Sequence, residues 1–140
     1  MSDTTGRTQD AGYQIGVSKT LPYPVEQVWE LITSAAGLAL WLGEDVDLTP
    51  TRGAPYRTAD GSTGEVRGWR ETDRIRVTSR VPDWDHDTTV QVAMSASGPG
   101  RTVLRFHQEW LSDAGERARQ RTHWQGVMAA VERALAAPNE

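Results

Sequence analysis

Between Asp45 and Phe106 the chain consists almost entirely of short strand-forming runs separated by turn signals: Thr49-Pro50, Arg52-Gly53, Asp60-Gly61, Thr72-Asp73 and Ser97-Gly98-Pro99-Gly100. The runs fall at 45–48, 54–58, 63–70, 74–80, 88–96 and 102–110. Parallel neighbours need long crossovers, and intervals this short leave no room for them, so the pattern predicts up to six strands in an antiparallel meander. One more strand precedes them, with Tyr13, Ile15, Val17 and Leu21 on one side and Gln14, Gly16, Ser18 and Thr20 on the other.

Two short helices are expected after that first strand. Pro24 suits a first helical position because its missing N–H would be unpaired there. Val25, Val28, Trp29 and Ile32 then make one apolar stripe. Leu38, Leu40, Trp41 and Leu42 form a second short segment, ended by Gly43. The last element has a different period. After the cap sequence Leu111-Ser112-Asp113, residues Trp124, Val127, Met128, Val131 and Leu135 recur at helical spacing until Pro138, with Gly115 and Gly126 weakening the helix slightly.

With 140 residues, the chain has the size of one domain, expected over 12–137, with a polar, disordered leader at 1–11 and a short tail at 138–140. The absence of cysteine excludes disulfides, thiolate zinc sites and a cysteine nucleophile. Fifteen basic against 19 acidic side chains, net −4, leave no basic excess for a nucleic-acid backbone, so no nucleic-acid partner is expected. Fourteen of the basic residues are arginine and only Lys19 is lysine, a bias that a GC-rich genome explains without chemistry. No apolar run reaches 18 residues and the N-terminus lacks a signal-peptide pattern, which predicts a cytoplasmic protein without stable membrane insertion.

A sheet of six or seven strands twists strongly, and only the last helix is long enough to cover its apolar face. A curved sheet around one helix leaves a gap lined by alternate strand residues, and such gaps hold apolar ligands. The run PVEQVWELITSAAGLALWLGEDVDLTP, followed in order by STGEVRGWRETDRIRVTSR, TTVQVAMSASGPGRTVLRF and THWQGVMAAVERAL, resembles the SRPBCC superfamily (START and Bet v 1-like), in the branch similar to the activator of heat-shock protein 90 ATPase. The resemblance runs from about Tyr13 to Leu135. It implies an α+β helix-grip fold, an antiparallel sheet curved around the C-terminal helix, with a deep hydrophobic cavity between them. Members of the superfamily bind lipids, polyketides and other apolar molecules, some cyclise polyketides, and some are linked to enediyne self-resistance.

The histidines give little support for catalysis. His86, in Asp83-Trp84-Asp85-His86-Asp87, reads as a solvated loop, since a calcium loop needs a ligand cadence and turn glycine that are missing. His107 shares parity with Val103, Arg105 and Glu109, and so faces outward; His123 reads as a packed or rim residue near the cavity mouth. No metal-ligand spacing, phosphate loop or Gly-x-Ser-x-Gly elbow is present, so neither a metal, a cofactor nor a catalytic residue is assigned.

The tryptophans are the better lead. Trp29 reads as core, whereas Trp41, Trp110 and Trp124 fall where the short helix, last strand and closing helix converge, and Trp84 sits among three aspartates as an entrance residue. Gln108 is the isolated polar group that orients a ligand, Met94 and Met128 are adaptable wall, and Val66, Val77, Val92, Leu104 and Phe106 are inward strand positions. The expected function is non-catalytic binding of a hydrophobic or aromatic small molecule by a monomer or homodimer. The alternatives are a polyketide cyclase or aromatase using Gln108 or His123 for proton transfer, and a protein-interaction module like a chaperone ATPase activator.

Overall fold

The structure, a computed structural model, describes residues 7–8 and 12–137. Within the expected leader, Arg7–Thr8 form a short strand (β1) paired with Gly12 and Tyr13; the rest of that leader and the tail at 138–140, with Pro138, lie outside the described residues. The chain continues as β2 (Gly12–Leu21), α1 (Val25–Thr33), α2 (Ala35–Trp41), β3 (Pro55–Arg57), β4 (Thr63–Arg70), β5 (Arg74–Ser79), β6 (Thr88–Ala96), β7 (Thr102–Leu111) and α3 (Ala114–Ala136). All strand pairs are antiparallel, in the order β1-β2-β7-β6-β5-β4-β3. The expected helix-grip architecture is therefore present. Strict alternation builds the inner face: Thr88, Val90, Val92 and Met94 on β6, and Thr102, Leu104, Phe106 and Gln108 on β7, are all buried.

Three local expectations change. Residues 45–48 are not a strand, because Asp45 takes φ 56° and turns the chain, leaving Val46 and Leu48 packed on the core without a partner strand. Pro24 is the N-cap of α1 rather than its first residue, with extended backbone (ψ 154°). At the end of β7 the inward parity fails. Between the pairs Tyr13↔Leu111 and Ile15↔Gln108 there is one extra residue on β7, a bulge that Trp110 accommodates at φ 66°. Leu111 then takes the buried side and Trp110 is left 48% exposed.

The helices are fixed by caps and one glycine. Ser34 accepts the Gly37 N–H at 3.0 Å and caps α2. A Cβ on Gly37 would lie 1.7 Å from the Leu31 carbonyl oxygen, so only glycine lets α2 fold back against α1 and bring Trp41 inward. Asp113 caps α3, as its sequence position predicts, accepting the Glu116 N–H at 2.7 Å. Along α3, Trp124, Val127, Met128 and Val131 are buried against the sheet, each contributing roughly 1.5–3 kcal/mol on an area basis. Trp124 stacks on Phe106 with centroids 5.0 Å apart.

Candidate ligand recess between the sheet and α3

The space between the layers is shorter than a cavity running the length of the helix. Toward the Leu104 end it is filled: Val66, Val77, Val92, Met94, Leu104, Phe106 and Met128, all expected to line it, are 0–4% exposed and pack together as closed core. What stays open is a recess of about 200 Å³ at the other end of the strands. Trp41, Trp84, Gln108 and Trp124 border it, as their positions in the sequence suggested. Trp110, turned outward by its bulge, does not.

Three indoles reach the recess from three separate elements: Trp41 from the last turn of α2, Trp84 from the loop between β5 and β6, and Trp124 from α3. Two of their N–H groups are already used. Trp41 Nε1 donates to the Ile32 carbonyl and Trp124 Nε1 to Gln108 Oε1, each at 2.9 Å. Gln108, 2% exposed, is bound at both ends of its amide. Its oxygen also accepts from Gln120 Nε2 at 2.9 Å, while its nitrogen donates to Thr88 Oγ1 at 2.9 Å, and the Thr88 hydroxyl in turn donates to the Ser79 carbonyl at 2.8 Å. Among the described residues no buried side-chain nitrogen or oxygen lacks a partner. Gln108 is therefore a fixed floor that holds Trp124, with both its amide oxygen and its amide nitrogen engaged.

The rim is more polar than the sequence suggested. Asp60 and Ser62, from the turn before β4, and Ser79, Gln120 and His123 border the recess. Asp60-Gly61 is legible only as a turn, and a turn signal does not say which cavity its side chain meets; Gln120, one helical turn before Trp124, could have been found from that spacing. The Thr58 hydroxyl bonds to Asp60 Oδ1, the Ser62 N–H reaches it at 2.9 Å, and these bonds hold the carboxyl below its usual range. His123 packs edge-on against Trp124 at 4.9 Å; part of its ring reaches solvent, yet burial of the rest pushes its pKa below 6.5.

His86 corrects an expectation. It is not a solvated loop residue: its ring stacks on Trp84 (5.3 Å, 17°), Nδ1 faces Asp85 at 3.0 Å and Nε2 faces the buried Glu116 carboxylate at 2.7 Å. Burial of the ring pulls its pKa down, but the hydrogen bonds and charges of Asp85 and Glu116 outweigh that and the net shift is upward. Glu116 also accepts the Ser112 N–H and hydroxyl, at 3.2 and 2.9 Å, so the loop carrying Trp84 is tied to the capped start of α3. His107 is on the outer face as expected, where Nε2 meets Gln14 at 2.8 Å.

A larger hollow of about 440 Å³ lies on the outer sheet face, bordered by Gly16, Ser18, Gln91, Ala93, Arg105 and His107. It arises where small side chains leave the sheet surface low, and the Phe106 ring beneath it points into the core. The smaller recess is the better candidate because it lies between two layers and has aromatic walls. Among the described residues no three histidines and carboxylates are grouped to hold a metal ion, and no helix is long and apolar enough to cross a membrane.

Sheet, grip helix and interlayer recess define an SRPBCC-type helix-grip domain, the plan of a ligand-binding fold. The model of the family described as "Activator of Hsp90 ATPase homolog 1-like protein" matches residues 22–136, and the chain belongs to that family. Three solved structures illustrate the fold. DynU16, a protein of the dynemicin biosynthetic locus, is 23% identical with TM-score 0.74, over 87% of this chain and 46% of that one. CalU16 from Micromonospora echinospora is 15% identical with TM-score 0.76, over 88% and 76%. PFC0360w, an HSP90 activator from Plasmodium falciparum, is 19% identical with TM-score 0.74, over 91% and 99%. This chain thus spans under half the length of DynU16. No curated protein matches the chain by sequence.

Proposed function

We propose that the chain binds, without transforming it, a small aromatic molecule or the aromatic part of a larger secondary metabolite or lipid-like compound. The observation that carries this reading is the set of three indoles, from α2, the β5–β6 loop and α3, around a space left open while the rest of the interlayer region is closed. The likeness to DynU16, whose locus makes dynemicin, supports a secondary metabolite, with sequestration or self-resistance as the biological purpose. At about 200 Å³ the recess is below the roughly 300–1,000 Å³ of drug-sized sites, so one ring or a fused pair fits. About ten non-hydrogen atoms at about 0.5 kcal/mol each correspond to a Kd of about 0.2 mM. Two-dimensional NMR of the indole N–H signals, with a panel of one- and two-ring compounds, tests this. Trp41 and Trp124 should shift while Trp29 stays; silence at all recess tryptophans up to several millimolar would end the reading.

A second reading, the chaperone-activator-like interaction module, is favoured by the outer sheet face. There, among the described residues, the exposed Arg57, Arg67, Arg70, Arg74, Arg76 and Arg105 are opposed by Glu65, Asp73 and Glu109. Purified Hsp90 whose ATPase rate stays unchanged with stoichiometric protein would remove it.

A further inference from the structure

The recess is unusual in what charge it contains. The protein has fifteen lysines and arginines, yet none of them borders this space; the formal negative charge there is Asp60. Thr58 and Ser62 hold that carboxyl below its usual range, and His123, also on the rim, has its pKa lowered by burial. Asp83, Asp85 and Asp87 surround Trp84 in the sequence; Arg80 stands 3.8 Å from Asp87, and the His86 ring faces Asp85 at 3.0 Å and Glu116 at 2.7 Å.

Indole faces carry the negative end of a ring quadrupole and attract cations, Trp most strongly of the aromatic side chains. Three indoles and one carboxylate, with no lysine or arginine, border the space, so a cation there meets the indole rings and Asp60. A carboxylate or phosphate head entering the same space would lose its hydration and meet Asp60 instead of a counterion. An uncharged polar head lacks the charge that Asp60 attracts, and the Gln108 oxygen already takes two donors.

Resting on the reading that the recess takes a small molecule, we propose that it selects an organic cation, an aromatic body carrying an ammonium group, over neutral and anionic molecules of the same shape, with the ammonium on the Asp60 side.

The test is a matched set of probes, 2-phenylethylamine, 2-phenylethanol and phenylacetate, titrated while the indole N–H signals of Trp41, Trp84 and Trp124 are followed. The amine should bind about tenfold more tightly than the alcohol, and phenylacetate more weakly than either. The amine's advantage should shrink toward parity in 0.5 M NaCl, a readout that needs no substitution. Asp60→Asn, which keeps the oxygen that Thr58 and Ser62 address, should also remove it, with a thermal melt confirming the fold. Equal affinity for amine and alcohol, both shifting the recess indoles, overturns the cation preference and leaves the binding reading standing. If none of the three probes moves those signals, the binding reading falls and the preference with it.

Discussion

The two ends of the interlayer space use the same residue in opposite ways. At the end near the β4–β5 turn, Trp29 and Trp69 meet edge to face at 5.7 Å and 83°, and both indole N–H groups converge on Glu71, at 3.0 and 3.2 Å. One carboxylate gathers two rings, and the end is closed. At the other end Trp41 and Trp124 donate to separate acceptors, the Ile32 carbonyl and Gln108. Trp84 stacks on its own loop's His86. Rings whose donors are anchored separately stand apart, and the volume between them is the recess. Tryptophan content therefore does not decide between filler and wall; the partner of each indole N–H does.

Truncation should show the largest effects and separate the two ends. Trp124→Ala and Trp29→Ala each remove a ring that is 1% or 5% exposed, and each should cost about 3–5 kcal/mol in urea unfolding. Only Trp124→Ala should abolish binding of ring compounds, assayed in the cold where both variants are folded. Loss of binding in folded Trp29→Ala would show that the ends are coupled and break the comparison.

A smaller effect sharpens it. Gln108→Leu keeps the volume but leaves the buried Trp124 N–H without an acceptor, at about 1–3 kcal/mol. Glu71→Leu deprives two indoles instead of one, yet Glu71 lies at an exposed turn where water can replace it, so its cost should stay under about 1 kcal/mol. Equal costs in matched denaturant melts would mean that burial of the acceptor is not what distinguishes the ends.

Most of the architecture was legible because period-two alternation survives wherever the backbone stays extended: β4 and β6 fall at their expected bounds, and the α3 cap is where Asp113 suggests. Two of the three local misreadings occur where one residue adopts positive φ. Asp45 ends a run whose composition suits a strand, and Trp110 reverses the side to which the end of β7 points; neither is glycine, so composition gives no warning. The recess was half legible. Parity finds Gln108, and helical spacing finds Trp124. Parity alone cannot say which inward residues touch a neighbour and which face empty space, so Val66, Val92 and Leu104 looked no different from Gln108. The polar rim depends on where turns and loops fold back, as does the His86–Glu116 contact across 30 positions, and local sequence does not encode such long-range placement.

The smallest expected effect concerns pH, and it touches only the open end. His86, with its pKa raised by carboxylate partners, contributes stability that is fully present below its unfolded value of 6.5 and is lost as pH rises through the folded value. His123, with its pKa lowered by burial, does the reverse: its contribution is present above 6.5 and is lost as pH falls through the folded value. In the native protein the two slopes oppose each other near neutrality. His86→Gln removes one of them, so the variant's deficit should be greatest near pH 5.5, under about 1 kcal/mol for a side chain 24% exposed, and should shrink by pH 8.5. Thermal melts of both proteins across that range check it, and a deficit that grew with pH would contradict the assigned partners. Trp84 rides on the loop that His86 ties to α3, so its indole N–H signal should follow the same titration. The signals of Trp29 and Trp69, anchored on Glu71 at the closed end, should not.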